Sequence, residues 1–371
     1  MEKKKQRILF FTPFATRTGS EMMLLYILQR IDRSRYEIGV VSFANGDLLS
    51  EFPADIPTFV VPRQYSIYHK IKHHLGINPI LQSLRKIARD FKADCWYANT
   101  MMLPETVTVA KEFSIRVITH FHELPLTYHY LNSSDMKNIV DYSELLIGCS
   151  QVTADAIEQA GGKNVALLYS FIDPDKVQRK PERSAELRKA LGIPEDAFVW
   201  VASGMTSERK GFDFLPDIAE AIDDPNVHIV WVGGRIDDGM VYYTEQRCAN
   251  PALKTKVHLV GQQKNDYYPY LDIGNGFLLT SRQDPFPLVM IEAALLEKPI
   301  VSFPSGGVAE FIQEGMGLVT EDISVRQMTA AMRRVMNGEI SLDPQKSRSR
   351  AGEFDVENGY RNWTEIMNSL Y

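Results

Sequence analysis

The sequence predicts an α/β protein built as two doubly wound domains in tandem, and three observations lead there. Short apolar runs of strand composition alternate with segments of helical period along most of the chain. The alternation breaks once, over Ser170 to Glu195, where Asp173-Pro174, Lys180-Pro181 and a charged helix ending at Gly192 read as a hinge, and then it restarts. At 371 residues the chain is long enough for two such cores.

In the first half, Arg7 to Pro13 reads as a strand and Ser20 to Ile31 as a helix, with Ser20 as N-cap and Met23, Leu24, Ile27, Leu28 and Ile31 at helical spacing. Strands follow at Glu37–Phe43, Thr58–Val61, Cys95–Ala98, Val117–Thr119, Leu145–Cys149 and Val165–Tyr169, with helices at Ile80–Phe91, Glu105–Phe113 and Ser150–Ala160. In the second half, strands are expected at Phe198–Ala202, His228–Val232, Val257–Val260, Phe277–Thr280, Ile300–Phe303 and Leu318–Thr320. Helices fit Phe212–Ile222, Val241–Ala249, Asp266–Leu271, Leu288–Glu297 and Val325–Asn337. Gly338 to Glu353 reads as a polar linker, and Tyr360 to Tyr371 as a last amphipathic helix. The domains are expected over 1–170 and 171–354, with the C-terminal segment 355–371 able to pack back on the first. A parallel sheet flanked by helices is the architecture such alternation produces.

Composition excludes several classes. Hydrophobic content of 44% with 24% charged residues suits an ordinary globular chain, and no apolar run approaches the roughly 18–20 residues of a membrane span. The basic N-terminus before a short apolar run imitates a signal peptide. Thr12 and Pro13 inside that run, and the lack of a small-residue cleavage site, favour a first strand. Three scattered cysteines, Cys95, Cys149 and Cys248, suggest a reducing compartment and neither a disulfide framework nor a metal site. Net charge is −6, and Arg63, Lys70, Lys72, Arg85, Lys86, Arg89 and Lys92 form one basic island opposed only by Asp90. An acidic chain with one such island is not a general nucleic-acid binder.

The chemistry concentrates in two stretches. After the strand ending at Thr280, Pro285 and Pro287 break the chain and a helix begins at Leu288. The N–H groups of Leu288, Val289 and Met290 lack partners in a first turn, which makes an anion site over the strand end. Asp284 in the loop and Glu292 in the helix flank it. Gly204-Met205-Thr206-Ser207-Glu208-Arg209-Lys210-Gly211 follows a strand and opens a helix, so Arg209 as a fork and Lys210 as a point charge could hold a diphosphate. A solvated charged turn is the bland reading of the same residues. Neither half carries G-x-G-x-x-G or a P-loop.

Together these residues resemble the catalytic domain of glycosyltransferase family 4, of the GT-B fold: two Rossmann-like domains facing a central cleft. The matching features are Gly204…Lys210-Gly211, Asp284…Glu292 with Ala293, and Gly306-Gly307-Val308-Ala309-Glu310. Val257-His258-Leu259-Val260-Gly261 resembles the strand and glycine that approach the base. Thr18-Gly19-Ser20-Glu21 resembles the glycine-rich first loop, and His120-Phe121-His122-Glu123 the strand-end His with its acid. The chain departs from the family in two places. The first acid of the motif is Asp284 instead of Glu, and Met205 stands where an Arg often follows the glycine, with Arg209 the replacement.

The resemblance implies retaining transfer of a sugar from a nucleoside-diphosphate sugar to a glycan or lipid-linked acceptor, in glycan, glycolipid or cell-surface polysaccharide synthesis. The donor would bind the second domain and the acceptor the first, with no cofactor and no metal. Arg209, Lys210, Asp284 and His122 would be the catalytic set, His120 being able to exchange roles with His122. Gly19, Gly204, Gly261, Phe286, Pro287, Leu288, Val289, Glu292 and Glu310 would bind the donor, Glu310 otherwise serving as a helix cap. The island over 63–92 would meet an anionic membrane surface or acceptor, or else be a solvated helix face. The expected location is cytoplasmic, with peripheral attachment to the inner membrane face. Two rival readings stand: another GT-B enzyme such as a sugar-nucleotide epimerase, and a non-catalytic nucleotide-sugar or glycan-binding protein.

Overall fold

A computed structural model describes residues 5–63 and 78–370. Lys70, Lys72 and the interleaved Tyr65, Ile67, Tyr68, Ile71 and Leu75 of the basic island lie outside the described residues. The chain forms two compact units, one of Met1–Ser170 with Glu357–Tyr371, the other of Phe171–Val356.

The first unit holds β1 (Gln6–Thr12), β2 (Tyr36–Ser42), β3 (Thr58–Val60), β4 (Cys95–Ala98), β5 (Arg116–Phe121), β6 (Leu145–Gly148) and β7 (Val165–Leu167). They pair in the order β3-β2-β1-β4-β5-β6-β7, all parallel. Every residue of β4 and β6 is buried, as a parallel sheet covered on both faces requires. The helix Pro79–Phe91 starts where Asn78 accepts the N–H groups of Ile80 (2.9 Å) and Leu81 (3.3 Å), and it buries Ile80, Leu84, Ile87 and Phe91. The last helix, Val356–Asn368, inserts Trp363 among Phe10, Tyr36 and Tyr97 with ring centroids 6.4 to 6.5 Å apart.

Two local expectations are corrected here. Ser20 is not the N-cap: the first helix spans Gly19–Arg30 with Thr18 at the cap, and the Ser20 hydroxyl turns instead to the Glu21 carboxylate at 2.8 Å. A helix at Ser133–Tyr142 escaped the sequence pattern because it buries only Ile139 and Val140, too few to set a period.

The second unit holds β8 (Phe198–Ser203), β9 (Val227–Val232), β10 (Lys256–Leu259), β11 (Gly276–Leu279), β12 (Ile300–Ser302) and β13 (Gly317–Val319). The order is β10-β9-β8-β11-β12-β13, again all parallel. Trp200 and Trp231 sit wholly inside its core. The expected linker over Gly338 to Glu353 is in fact largely a helix, Pro344–Gly352, begun by Asp343 accepting the Lys346 N–H at 3.0 Å. Its polar composition misled because it buries little more than Ser347 and Ala351 while packing against the helix Leu288–Leu295. Arg350 then donates to the carbonyls of Glu310 (2.7 Å) and Phe311 (3.3 Å).

In each sheet the winding direction reverses once, between β1 and β4 and between β8 and β11. Loops diverge at such points, leaving a crevice at the carboxyl ends of the strands. Of the motifs singled out in the sequence, Gly19 follows β1 and the loops 204–211 and 280–287 follow β8 and β11, at these two places. His122, by contrast, follows β5, Gly261 follows β10 and Gly306 follows β12.

Candidate active site

In the second unit, β8 leads into the loop Gly204–Gly211 and β11 into the loop Thr280–Pro287. The two loops are laced together. Thr280 Oγ1 donates to the Lys210 carbonyl (2.9 Å), the Arg282 N–H to the Arg209 carbonyl (2.8 Å), and Arg209 Nη1 to the Gln283 carbonyl (2.9 Å). Gly211 has φ +69°, and a Cβ there would lie 1.9 Å from the Thr280 carbonyl oxygen, so only glycine permits this approach. Gly204 donates its N–H to Val232 (3.0 Å) and accepts the Trp231 indole N–H (3.0 Å), fixing the start of the loop. Gly261, at φ +71°, accepts the Gly233 N–H at 3.0 Å beyond β10.

Lys210 Nζ is hydrogen-bonded to the buried Asp284 carboxylate. Arg209 lies 4.0 Å from the same carboxylate, and Ser281 donates to it at 3.4 Å. Burial alone would raise the Asp284 pKa, but the Lys210 and Arg209 charges outweigh it and hold the carboxyl below its ordinary value. Asp284 is therefore an anion that fixes the Lys210 side chain between the two loops.

The helix Leu288–Leu295 has Pro287 at its N-cap. Met290 donates its N–H to the Pro287 carbonyl (3.1 Å), so the unpaired donors expected at this helix start reduce to those of Leu288 and Val289. One turn on, Glu292 accepts from the hydroxyls of Tyr267 (3.0 Å) and Tyr268 (3.2 Å), and Tyr267 meets Ser203 Oγ at 3.1 Å. Burial pushes the Glu292 pKa up to about 7, against the lowering effect of the two tyrosines. Sequence reasoning missed this tyrosine pair; its signal was two adjacent tyrosines opening the helix before β11. Phe286 is buried with its ring 5.1 Å from Phe354 and 6.2 Å from Phe311, so its side chain braces the loop. The run Gly306 to Glu310 is tied to the same loop by the Gly307 N–H to the Pro285 carbonyl at 2.8 Å, and Glu310 lies in the first turn of Val308–Phe311.

In the first unit the strand ends gather a second polar cluster. Gly19 is exposed at the start of its helix. Glu21 is buried and accepts from Thr12 (3.3 Å) and Ser20 (2.8 Å). Glu123 accepts from Thr100, from the His122 N–H (2.9 Å) and from the Met101 N–H (3.5 Å). Burial pushes both carboxyls up to about 7, each against the lowering effect of its hydrogen bonds, and Glu21 adds to the rise at Glu123. His122 shares its Nε2 with Asn99 Oδ1 at 3.4 Å, and Asn99 Nδ2 donates to the Ser20 carbonyl at 2.9 Å. Burial holds the His122 pKa down to about 3, so the ring is neutral at physiological pH. His120 lies behind it, ring centroids 4.0 Å apart, fully buried with Nδ1 on the Tyr97 hydroxyl at 2.9 Å. Of the two histidines, His122 is the one at the open strand end.

The basic island is partly neutralised. Arg85 forks onto Glu112 (2.7 Å for both bonds) and Arg63 pairs with Glu105 at 2.7 Å, while Lys86, Arg89 and Lys92 are exposed. Among the described residues there is no group of three or more His, Cys, Asp or Glu side chains placed to hold a metal ion. No helix among them is long and apolar enough to cross a membrane.

Two all-parallel, doubly wound units, with a cationic loop facing a carboxylate-bearing helix at the switch point of the second, define a protein of the GT-B class. Two family models match: Glycosyltransferase Family 4 over residues 17–176 and Glycosyl transferases group 1 over residues 183–354. The chain belongs to glycosyltransferase family 4.

Among curated relatives, it is 26% identical over 229 residues to the alpha-galactosylglucosyldiacylglycerol synthase of Streptococcus pneumoniae, covering 57% of this chain and 60% of that protein. It is 24% identical over 276 residues to the putative teichuronic acid biosynthesis glycosyltransferase TuaC of Bacillus subtilis, covering 72% and 67%. The match thus spans about two thirds or less of either relative. Among solved structures, Anabaena HepE in complex with UDP and glucose superposes with a TM-score of 0.84 at 22% identity, over 98% of this chain and 100% of that one. At that identity the likeness establishes the fold.

Proposed function

We propose that the chain transfers a sugar, with retention at the anomeric carbon, from a nucleoside-diphosphate sugar to a glycan or lipid-linked acceptor. The synthesis of a cell-surface polysaccharide or glycolipid is the process we assign it to, in keeping with the named activities of its relatives. The observation that carries the reading is the Arg209–Lys210 pair, held by Asp284 over a helix start at the β8/β11 switch point.

In the transfer, the bond from the anomeric carbon to the diphosphate oxygen breaks and a bond to the acceptor oxygen forms on the same face. The acceptor hydroxyl proton passes to the departing diphosphate. Negative charge grows on that diphosphate as the bond breaks, so cations placed there stabilise the transition state more than the bound donor. Lys210, Arg209 and the N–H groups of Leu288 and Val289 are the groups we assign to that charge. Glu292 is assigned to the ribose hydroxyls, Gly204 and Gly261 to close backbone approach, and Asp284 to holding Lys210 and orienting sugar hydroxyls. In the first unit, neutral His122 is assigned to a sugar hydroxyl, and Gly19 to the loop beside it. Cytoplasmic residence, with exposed Lys86, Arg89 and Lys92 meeting an anionic acceptor or membrane face, completes the proposal.

The test is a panel of nucleotide sugars scored by calorimetric binding and by slow release of nucleoside diphosphate. UDP-glucose is the first to try, because the solved neighbour is also known in complex with it. Binding with hydrolysis that an acceptor accelerates is the expected result. A new sugar isomer formed without acceptor would replace the proposal with an epimerase. Donor binding unaffected by both Lys210→Ala and Glu292→Ala would remove the site assignment.

A further inference from the structure

Arg282 stands between the two site loops and is spent on neither charge already assigned. Its guanidinium forks onto Asp213 with two bonds of 2.7 Å, donates to the Glu208 carbonyl at 2.6 Å, and lies 4.1 Å from the centroid of the Phe214 ring. Its own N–H binds the Arg209 carbonyl at 2.8 Å. One residue therefore grips the phosphate loop at Glu208 and Arg209 and the turn after it at Asp213 and Phe214, from a base on the loop that carries Asp284. A planar fork with bonds in fixed directions suits this task, whereas a lysine would supply a charge without the geometry.

We infer that Arg282 is a positioning residue that sets the Arg209–Lys210 pair at the height where a diphosphate meets it, with Asp213 as its anchor. The inference rests on the diphosphate reading of that site. We assign Arg282 no phosphate contact, since three of its five guanidinium N–H donors are bound to Asp213 and Glu208. Loss of the clamp lets the 208–210 segment move, and misplacement of about 1 Å is enough to cost substantial affinity or rate.

The experiment compares Arg282→Gln with Asp213→Asn, using UDP, GDP and ADP, each beside its own nucleoside. The two substitutions change charge in opposite directions but release the same clamp. Both are expected to weaken binding of whichever diphosphate the parent prefers by about tenfold, with nucleoside binding unchanged, and the double variant should lose little more than either single one. A role limited to general stability would lower the melting temperature without moving the diphosphate-to-nucleoside ratio. A direct phosphate-binding role would be exposed if Asp213→Asn, which frees the guanidinium, left binding equal or tighter. Either result overturns the inference. Should the parent bind none of the three diphosphates, the site reading itself fails, an outcome visible before any variant is made.

Discussion

Replacing Glu292 with Gln should make the protein more stable at alkaline pH while impairing nucleotide binding. Burial raises the Glu292 carboxyl from its ordinary 4.5 to about 7. A carboxyl raised on folding binds a proton more tightly in the folded state. The native charge therefore costs nothing below pH 4.5, costs more as pH climbs, and reaches its full cost above about 7. A rise of this size corresponds to about 3 kcal/mol at 1.36 kcal/mol per unit. The amide forfeits some of this, since only one of its two polar atoms accepts a tyrosine hydroxyl, so a net gain of about 2 kcal/mol is expected at pH 8. In a unit of this size, that should raise the melting temperature by about 4–8 °C. Thermal melts of parent and variant from pH 4.5 to 8.5 measure the difference, in which all other titrations cancel. Equal melting temperatures at pH 8, or an equal gain at pH 4.5, would refute the reasoning, the latter because packing and not charge would then be the cause.

Lys210→Ala should lower turnover by about 10²–10³-fold. It should also destabilise the second unit by up to about 3 kcal/mol by leaving the buried Asp284 with only Arg209, 4.0 Å away, and Ser281 as partners, a loss that Lys210→Ala with Asp284→Ala recovers in denaturant titrations but that turnover does not. Trp363→Ala should cost the first unit about 3–5 kcal/mol, read as a lower midpoint in urea. Neutralising Lys86, Arg89 and Lys92 to Gln should reduce co-sedimentation with vesicles containing anionic lipid and leave neutral vesicles unaffected; equal binding of parent and variant to both would end the membrane assignment.

The elements that the sequence revealed were those with a strong period or strong punctuation. Strands such as β8 and β11 are continuous apolar runs between turn residues, and the Asp284–Glu292 stretch announces a strand, a double proline break and a helix. What stayed hidden depends on contacts between distant residues. The helix Pro344–Gly352 has almost no apolar face of its own, and the Ser133–Tyr142 helix very little. Tyr267 and Tyr268 become partners of Glu292 only when two helices meet, about 25 residues apart in sequence. Asp284 was legible as an acid beside a helix start, but its ion pair with Lys210 spans 74 positions. Patterns of spacing locate the loops; the side chain each loop faces is decided by sheet order.

The helix that carries Trp363 has a consequence for how the molecule is made. The first unit is encoded by both ends of the chain, with the whole of Phe171–Val356 inserted between its last strand and its closing helix. The first unit therefore cannot fill the seat at Phe10, Tyr36 and Tyr97 until the residues after Val356 have been made. Until then those rings lack their cover, so the unit begun first depends for its closing contact on residues made after the second.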